Sequence, residues 1–379
     1  MTDAKDGMAM LTGIRVVDLT SVVFGPYATQ ILADHGAQVT KVEAPGGDVL
    51  RYSARPAKTP GMAPSFIALN RGKSSIILDL KDRHEADILR GLLEEADVFI
   101  HNVREQAIDK LGFGYEAVKA LNPDIIYVHC VGFGSDGPYG GLQAYDDVIQ
   151  AVSGATSLLP RVDGDPRPRY LPSLIADKVA GLHAAYATLA AIIHKLRTGE
   201  GQHVEVPMFE AFTSFMMKEH LGGHTFDPPN APAGYRRQID PDRQPFQTKD
   251  GWISIVPYVP QHFLYVIGLL GDNEMANDPR WEDVGAILAA GPELYARIGA
   301  LARDKTTEEC IAILRAANIP CMPATDLDDV IDDPHLQETG FFERGEHPSE
   351  GPVFQMREPS RYSAWPCAVR GHAPRLNED

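Results

Sequence analysis

GIRVVDLTSVVFGPYATQILADHGAQVTKVEA, residues 13–44, holds two short runs rich in β-branched residues on either side of a helix-like segment. The runs at 13–19 and 38–44 are typical of buried strands, and the segment at 25–37 predicts a helix that ends at Gly36. A strand, helix, strand succession of this length predicts parallel strands joined by a right-handed crossover. The first turn reads SVVFGP and lacks the GxGxxG pattern, so the sequence does not favour NAD as a ligand.

Further strand-like runs follow at intervals that leave room for helices between them. They are SSIILDL (74–80), DVFIHN (97–102), DIIYVHCVGF (124–133) and HVEVPM (203–208). The alternation predicts an α/β fold whose large domain, residues 1–225, is a doubly wound, Rossmann-like sheet.

The chain changes character in a loop rich in Pro and Arg at 226–244. Residues 226–327 are predicted to form a smaller α+β domain, which opens with a hairpin around 249–251 in PFQTKDGWISIVPY. The C-terminal segment, residues 328–379, contains two candidate strands, VFQMR and SRYSA, and from its residues alone could join either domain.

The charge balance limits the partners of the protein. The 379 residues carry a formal net charge of -17 and no run of Lys or Arg, which excludes a nucleic-acid binder because such a protein needs a clustered basic face. An anionic small substrate would therefore have to be met by local positive groups.

Cysteine usage and hydropathy indicate a cellular location. Four cysteines, without any CxxC pair, suit reduced thiols and predict neither a zinc site nor a disulfide framework. The most apolar stretch, residues 171–196, contains several ionisable residues and is predicted not to span a membrane, and the N-terminus lacks the apolar core of a signal peptide. We expect a cytoplasmic protein with no bound metal.

That apolar stretch, LPSLIADKVAGLHAAYATLAAIIHKL, predicts a core helix with one carboxylate near its beginning. Ser173 or Asp177 is the expected N-cap region, and Gly181 with the alanines permits close packing. The predicted buried face consists of the large apolar positions Val179, Leu182, Tyr186, Leu189, Ile193 and Leu196. The residue type alone allows Asp177 to be a structural cap or a functional carboxylate, because the helix N-terminus stabilises either in its ionised form.

Ligands of doubly wound sheets bind beyond the carboxyl ends of the strands. The segments expected at that edge are 22–26, 70–73, 102–104 and the glycine-rich loop 132–141, GFGSDGPYGG. The loop is either a plain connection or a source of backbone N–H groups for an oxyanion or phosphate.

Several motifs, in this order along nearly the whole chain, resemble one known family. They include GIRVVDLTSVVFGP, ADHGAQVTKVEAPGGD, NRGKSSIILDLK, LNPDIIYVHCVGFGSDGPY, AYDDVIQAVSG, IADKVAG, LRTGEGQHVEVPMFEA and NIPCMPATDLDDVIDDPHLQETGFF. The sequence is similar to the class III CoA-transferases of the CaiB/BaiF type, a family that also includes α-methylacyl-CoA racemases. The resemblance implies a large domain completed by the C-terminal segment, a small domain inserted between, and an interlocked, ring-like homodimer.

The resemblance also implies an activity. The implied enzyme moves CoA from an acyl-CoA donor to a small carboxylic acid acceptor, with acyl-CoA as substrate and no permanently bound cofactor. Asp177 in IADKVAG falls on the family's nucleophile and would carry an anhydride and then an aspartyl-CoA thioester. We expect the helix N-terminus to keep the pKa of Asp177 low.

Two alternatives remain beside the transferase. The racemase branch has a histidine at the position of Tyr145, and a phenol is poorly suited to two-base proton transfer at neutral pH, although a histidine from elsewhere, such as His220 or His224, could take that role. The other alternative is an acyl-CoA binding subunit without catalysis.

The resemblance places CoA contacts after the first and fourth strands and at basic positions: Val22, Val23, Arg71, Lys73, Asn102, Val103, Arg104, Lys110 and Tyr145. Two basic family positions are Ala44 and Gln143 here, so Arg51 or Arg71 is expected to substitute at the first.

The interdomain segment NAPAGYRRQIDPDRQPF replaces the family's flexible glycines, and Arg236 with Arg237 is a candidate site for the distal carboxylate of a diacid. The resemblance also suggests a further helix beyond APRLNED, so the sequence is expected to be a truncated one. It does not identify the donor or the acceptor.

Overall fold

The structure is a computed structural model that describes residues 9–53, 57–365, 369 and 371–378. The strands are β1 (Arg15–Leu19), β2 (Gln38–Glu43), β3 (Lys73–Ile77), β4 (Val98–His101), β5 (Ile126–Val131), β6 (Gln202–Pro207), β7 (Phe246–Gln247), β8 (Trp252–Ile255), β9 (Cys321–Pro323), β10 (Phe342–His347) and β11 (Gly351–Met356). The helices are α1 (Phe24–Asp34), α2 (Pro64–Asn70), α3 (Arg83–Glu94), α4 (Glu105–Lys110), α5 (Tyr115–Leu121), α6 (Asp146–Val152), α7 (Leu158–Asp163), α8 (Ile175–Thr198), α9 (Met208–His220), α10 (Pro260–Leu270), α11 (Asn273–Ala276), α12 (Val284–Ala289), α13 (Gly291–Ala302), α14 (Thr307–Ala316) and α15 (Pro334–Glu338). Short 3₁₀ helices occupy Val49–Tyr52, Ala155–Ser157, Gly222–Thr225, Pro279–Glu282 and Leu327–Asp332.

The first six strands form one parallel sheet in the order β3-β2-β1-β4-β5-β6. The order reverses beside β1, as in a doubly wound Rossmann-type sheet. The predicted α/β fold is confirmed, since each of the six runs predicted as strands from their β-branched residues overlaps one of these strands.

Both faces of the parallel sheet are covered. On one face Val17, Phe99 and Tyr127 pack against Leu89 and Leu93 of α3. On the other face α1 packs against α8, which also contacts β5 and β6. Strands buried on both faces account for the nearly continuous apolar runs in the sequence.

The buried face of α8 is not the predicted one. Of the six predicted positions Val179 is buried and Leu189 half-buried, but Leu182, Tyr186, Ile193 and Leu196 are exposed, Leu196 by 75 % of its surface. The buried residues of α8 are mostly small: Ala176, Asp177, Val179, Ala180, Gly181, Ala184, Ala185, Thr188, Ala191 and Ile192. Close approach of α1 and the sheet requires small side chains, so the large apolar residues lie on the opposite side of the helix.

The close packing predicted at Gly181 is confirmed. A Cβ atom on Gly181 would lie 2.9 Å from the carbonyl oxygen of Phe24 and 3.0 Å from the Cδ1 atom of Tyr27, both on α1. The backbones of α1 and α8 therefore approach each other at this point because no side chain intervenes.

We expect Gly181→Ala to destabilise the protein by about 1–3 kcal/mol, because the methyl group must push α8 away from α1. Gly91→Ala is the matched control, since Gly91 also lies inside a helix but nothing is within 4 Å of its would-be Cβ atom. That substitution should raise stability by roughly 0.4–1 kcal/mol through helix propensity and unfolded-state entropy. Urea unfolding measures both; equal effects would show that the α1–α8 contact is not tight.

Among the described residues, one helix, α8, meets the length and composition of a membrane span, and 44 % of its apolar window is buried within the protein. A buried core helix meets the same criteria.

The chain divides into two compact units. The large unit comprises residues 1–156, 169–218 and 335–379, and the small unit comprises residues 157–168 and 219–334. The domain borders expected from the sequence, at residues 226 and 328, stay predictions. The sequence did not predict that residues 157–168 belong to the small unit.

The small unit contains a three-stranded antiparallel sheet and a helical core. The predicted hairpin is confirmed, with β7 paired to β8, and β9 adds a third strand. Helices α10, α13 and α14 bury Ile267, Leu294, Ile298 and Leu314 against this sheet.

The C-terminal segment forms the hairpin β10–β11, in which Arg344 lies opposite Phe354. The predicted strand VFQMR lies within β11 except for its last residue, but the predicted strand SRYSA is wrong: among residues 360–365 only the bridge between Tyr362 and Trp365 is strand-like. SRYSA alternates polar and apolar residues but has no neighbouring strand to pair with over its length. Strand β10 was not predicted, because its sequence FERGEH is too polar to show a hydrophobic strand pattern.

Residues 371–378 lie along the outer edge of the parallel sheet. The backbone N–H groups of Gly72 and Ser75 donate to the carbonyl oxygens of His372 (3.0 Å) and Glu378 (2.7 Å). The N–H group of Ile77 donates to Oδ1 of Asn377 at 3.1 Å. The N–H groups of the edge strand β3 therefore have hydrogen-bond partners on its outer side as well.

Candidate active site

A cavity of about 220 Å³ lies in the large unit beyond the carboxyl ends of the parallel strands. Three of the four segments expected at this edge contribute to its lining, namely 22–26, 102–104 and 132–141, whereas 70–73 does not. Asp177, at the beginning of α8, also lines the cavity. The fold thus brings the buried Asp177 carboxylate to the cavity that the glycine-rich loop also lines.

The beginning of α8 is capped by a residue from another helix. The N-cap position is Leu174, not Ser173 or Asp177, and its side chain makes no capping bond. The N–H groups of Ala176 and Asp177 instead donate to Oδ1 of Asp146 at 2.7 and 3.1 Å. Asp146 therefore occupies the anion-binding end of α8 that the sequence assigned to Asp177.

Gln150, one turn after Asp146 on α6, fixes this arrangement. Its amide nitrogen donates to Oδ2 of Asp146 at 2.5 Å and to the carbonyl oxygen of Ser173 at 3.1 Å. Its amide oxygen accepts the N–H of Leu171 at 2.8 Å. The pair from α6 thus holds both the approach to α8 and its first turn.

The surroundings of Asp177 disfavour its charge. The side chain is buried, with 7 % of the residue exposed. Burial, and secondarily the nearby Asp146 carboxylate, raise the pKa of Asp177 to about 7. The expected low pKa is wrong, because the helix N–H groups that would lower it are already bound to Asp146.

The glycine-rich loop is tied to two acidic side chains. The N–H groups of Gly134 and Ser135 donate to Glu210 and Glu205, each at 3.0 Å. A Cβ atom on Gly132 would lie 2.5 Å from Cβ of Ala144, so a glycine is required where the beginning of the loop meets the segment that follows it. These contacts give the loop a defined shape at the edge of the cavity.

His129 also lines the cavity and was missed by the sequence reasoning. Its Nε2 atom lies 3.0 Å from the carbonyl oxygen of Val103, which fixes a donating Nε2–H, and its ring stacks on His101 at 4.4 Å. Burial lowers the pKa of His129, so the imidazole is neutral at pH 7. Its position, two residues before the end of a strand, is the signal that could have found it. His220 and His224 belong to the small unit and do not line this cavity.

Five of the predicted CoA-contact residues line the cavity: Val22, Asn102, Val103, Arg104 and Tyr145. Val23 is the buried N-cap residue of α1 and is not part of the lining. Lys110 is exposed at the end of α4 and is also outside the lining.

The structure does not bring Lys73 to the cavity. Its side chain is fully buried, and the ammonium donates to Asp18, Asn70, Thr29 and the carbonyl oxygen of Pro26 at 2.7–3.1 Å. Lys73 and Lys41 hold the pKa of Asp18 low, at about 2, against the effect of burial. The geometry gives Lys73 the role of a counter-ion in the core, so its CoA contact stays a prediction without structural support.

Arg51 and Arg71 are also paired inside the protein. Arg51 binds both oxygens of Glu43 at 2.6 and 2.7 Å, and Arg71 binds both oxygens of Asp34 at 2.5 and 2.9 Å. Neither lines the cavity as a substitute for the basic residue missing at Ala44.

The candidate diacid residues lie in the small unit. Arg236 is exposed, and Arg237 donates to the carbonyl oxygen of Pro257 at 3.2 Å and lies 5.7 Å from the Tyr258 ring. Within the described ranges no three His, Cys, Asp or Glu side chains form a metal-binding group. Cys130, Cys310 and Cys321 are free thiols, and Cys367 lies outside the described residues.

Known proteins resemble this chain over nearly its full length. A relative from Mycobacterium tuberculosis, named "Probable fatty acyl-CoA transferase Rv3272", is 32 % identical over 97 % of this chain and 95 % of its own. A succinate–glutarate CoA-transferase from Agrobacterium fabrum is 30 % identical, over 100 % and 96 % of the two chains. A formyl-CoA:oxalate CoA-transferase from Streptomyces avermitilis is 32 % identical, over 97 % and 93 %.

Solved structures agree with these relatives. The crystal structure of Rv3272 matches with a TM-score of 0.84 at 28 % identity, covering 98 % of each chain. A CaiB/BaiF family protein from Brucella suis matches with a TM-score of 0.83 at 30 % identity, covering 98 % of this chain and 97 % of its own. The model of CoA-transferase family III matches residues 11–379. These relatives are named as transferases and do not favour the racemase alternative. The chain therefore belongs to CoA-transferase family III and is a class III CoA-transferase.

Proposed function

We propose that the protein transfers CoA from an acyl-CoA to a small carboxylic acid, with Asp177 as the covalent carrier. The observation that carries this proposal is the position of Asp177, a buried carboxylate at the cavity beyond the sheet edge. A carboxylate deprived of water is a stronger nucleophile than one in solution, and a pKa of about 7 leaves a substantial ionised fraction at neutral pH.

The first half of the reaction loads CoA onto the protein. The Asp177 carboxylate attacks the thioester carbonyl, the C–S bond breaks, and CoA thiolate leaves from a mixed anhydride. The thiolate then attacks the aspartyl carbonyl of the anhydride, which releases the donor's carboxylate and leaves an aspartyl-CoA thioester. Anhydride and thioester are comparably activated, so no step is strongly uphill.

The second half reverses these steps with a new acid. The acceptor carboxylate attacks the aspartyl carbonyl and expels CoA thiolate, which then attacks the acceptor's own carbonyl in the second anhydride. The products are the new acyl-CoA and the free Asp177 carboxylate. No external oxidant, reductant or metal takes part.

Chemical trapping tests the covalent step. Protein mixed with an acyl-CoA should give an Asp177 hydroxamate with hydroxylamine, or a reduced Asp177 side chain with borohydride, in peptide mass spectrometry. Free CoA without an acyl group is the control and should give neither. Turnover with no label on Asp177, or with the label elsewhere, would contradict the mechanism. CoA binding without turnover on a broad panel of acids would instead support the binding-subunit alternative.

The names of two relatives support a dicarboxylic acid as the acceptor. The named substrates of two of them, succinate, glutarate and oxalate, are dicarboxylic acids. We propose a diacid for this protein as well, with Arg236 or Arg237 binding the distal carboxylate through the forked guanidinium. Replacing each arginine by methionine should reduce kcat/KM for diacids more than for monoacids; an unchanged preference in both variants would end this idea.

The charge of Asp146 should shift the pH range of activity, in addition to the larger effect of burial at Asp177. The nucleophile is the ionised form of Asp177, so kcat/KM should fall as pH drops below about 7. In Asp146→Asn an oxygen remains to cap α8, but the negative charge is lost, and the acid limb should move down by roughly one pH unit. Asp147→Asn is the control, because Asp147 is the exposed neighbour on α6. Equal pH profiles for wild type and Asp146→Asn would contradict the coupling.

We also propose a homodimer, as the family resemblance implies. Its support in this chain is the row of large apolar residues on α8 that the large unit leaves uncovered: Leu182, Tyr186, Ile193 and Leu196. Exposed apolar surface of this kind is typical of an interface. Light scattering should give twice the chain mass, and Leu196→Glu with Ile193→Glu should shift the protein toward monomer.

A further inference from the structure

The turn that follows β1 forms one edge of the cavity and has an unusual backbone. Ser21 and Val22 both line the cavity. Val22 has a φ angle of 70°, in the left-handed region that a β-branched residue rarely adopts. Among the described residues, the other non-glycine residues with positive φ are Asn318 and Asn377, and asparagine tolerates this region. Val22 must therefore be held in place by its surroundings.

Asp48 holds Val22 directly. The N–H group of Val22 donates to both carboxylate oxygens of Asp48, at 3.1 and 3.2 Å. The Asp48 side chain also caps the 3₁₀ helix Val49–Tyr52 by accepting the N–H of Leu50 at 3.0 Å. The same carboxylate thus connects the turn after β1 to the segment after β2.

Asp48 is in turn fixed by residues of β2. The ammonium of Lys41 lies 3.0 Å from Oδ2 of Asp48, and both side chains are buried. Lys41 also donates to the carbonyl oxygen of Thr20 at 2.8 Å, two residues before Val22. Oε2 of Glu43 accepts the N–H of Asp48 at 2.9 Å. Lys41 therefore contacts both the beginning of the turn and the carboxylate that holds its end.

The middle of the turn is fixed from the opposite side. Oδ1 of Asn102 accepts the N–H of Ser21 at 3.0 Å, and its Nδ2 donates to the Ser21 carbonyl oxygen at 2.9 Å. The backbone of three successive residues, 20–22, is thus bound by side chains from outside the turn. Lys41 of β2 binds Thr20, Asn102 after β4 binds Ser21, and Asp48 after β2 binds Val22. Because the turn is held from outside itself, its shape depends on these side chains.

We propose that Asp48, paired with Lys41, is a positioning residue that keeps Val22 left-handed so that the turn presents its backbone to the CoA part of the substrate. This role rests on the proposed function, because it assumes that the cavity binds a CoA thioester. Asp48 does not touch the substrate; it acts through Val22. If the pair only stabilised the core, Asp48→Ala would leave CoA affinity unchanged or reduce it equally with valine and with glycine at position 22. If the pair positions the turn, Asp48→Ala reduces CoA affinity with valine at position 22 and much less with glycine.

A double-mutant cycle on the full-length protein tests this role, with CoA affinity measured by calorimetry and KM and kcat measured with an acyl-CoA. Asp48→Ala should weaken CoA binding and raise KM by about tenfold or more, with a smaller change in kcat, because Val22 relaxes out of the left-handed region. In the Val22→Gly background the same substitution should change CoA affinity by less than about threefold, since glycine adopts positive φ without strain.

Two further variants keep the test decisive. Asp82→Ala is the matched control, because Asp82 caps α3 by accepting backbone N–H groups at 2.8 and 3.1 Å and does not line the cavity; it should leave CoA affinity unchanged. If Asp48→Ala does not fold, Asp48→Asn replaces it in the cycle, with a smaller expected loss of affinity because one oxygen remains for the Val22 N–H.

The outcomes separate this role from the proposed function. Equal CoA affinity in wild type and the Asp48 variant, or equal losses with valine and with glycine at position 22, would overturn the positioning role whatever the turnover. If CoA affinities across the double-mutant cycle are as predicted but the wild-type protein transfers no CoA, the transferase mechanism is wrong and the role of Asp48 stands.

Discussion

Asp177→Ala is expected to abolish CoA transfer, with kcat reduced by roughly a thousandfold or more. The substitution removes the only group proposed to accept the acyl carbon, so no partial reaction remains. Steady-state assays of the new acyl-CoA measure the loss. Full activity in this variant would rule out the covalent mechanism altogether.

Two related variants distinguish a missing nucleophile from a damaged fold. Asp177→Asn is nearly isosteric but cannot form the anhydride, so it should be as inactive as the alanine variant while still binding CoA. Asp177→Glu retains a carboxylate but places it one methylene further out; it should retain a small, measurable activity, because orientation of the attacking atom contributes much of the rate.

The same site predicts a pH-dependent stability difference. The pKa of Asp177 is raised in the folded protein from 3.8 to about 7, so its favourable contribution is fully present below about pH 4 and is lost as pH rises to about 7. Asp177→Asn has no such titration. The melting temperature of Asp177→Asn minus that of wild type should therefore rise between about pH 4 and pH 7 and level off above pH 7. A difference that stays constant over this range would contradict the raised pKa.

Lys73→Met is expected to destabilise the protein by about 3–5 kcal/mol, because it leaves the buried Asp18 carboxylate without its nearest counter-ion. The ammonium is also the donor for Thr29, Asn70 and a carbonyl oxygen, and these partners lose it together. Urea unfolding measures the loss. A double variant with Asp18→Asn should recover part of it, since no unpaired charge then remains.

Lys110→Met is the control for this prediction. Lys110 is exposed, and its replacement should change stability by no more than about 0.5 kcal/mol. If Lys73→Met were as stable as wild type but bound CoA more weakly, the contact with CoA implied by the family resemblance would stand, and the role in the core would be wrong.

The parallel sheet could be predicted from the sequence because its strands are buried on both faces. Continuous β-branched runs such as that around Val17 are explained by this burial, and their alternation with helices predicts parallel strands joined by right-handed crossovers. The position of Asn102 and the glycine-rich loop at one edge of the sheet could also be predicted, because the carboxyl ends of parallel strands lie at the same edge.

The face of α8 could not be predicted in the same way. Its large apolar residues and its small ones both recur at helical spacing, and the pattern does not say which set the chain itself buries. Gly181 was the informative residue, because a glycine inside a helix indicates a close backbone approach. The side marked by Gly181, rather than the side marked by Leu196, is the one that contacts α1.

The electrostatics of the site depended on contacts that are distant in sequence. The helix N-terminus at Asp177 favours an ionised carboxylate, but Asp146, 31 positions earlier, takes its N–H groups. Lys73 is a second example. A lysine is suited to binding a CoA phosphate, but Asp18, 55 positions away in the sequence, binds this one in the core. Neither pairing has a local sequence signal.

The last described residues, 371–378, have a consequence for handling the protein. An uncovered edge strand offers free N–H and C=O groups to any other strand and is a common starting point of aggregation. Here Glu378 accepts a hydrogen bond from Ser75 of β3, and His372 accepts one from Gly72 just before that strand, so these residues shield the edge of a sheet that would otherwise be open. An affinity tag or a deletion that pulls this stretch away should lower soluble yield, even though it lies far in sequence from Asp177.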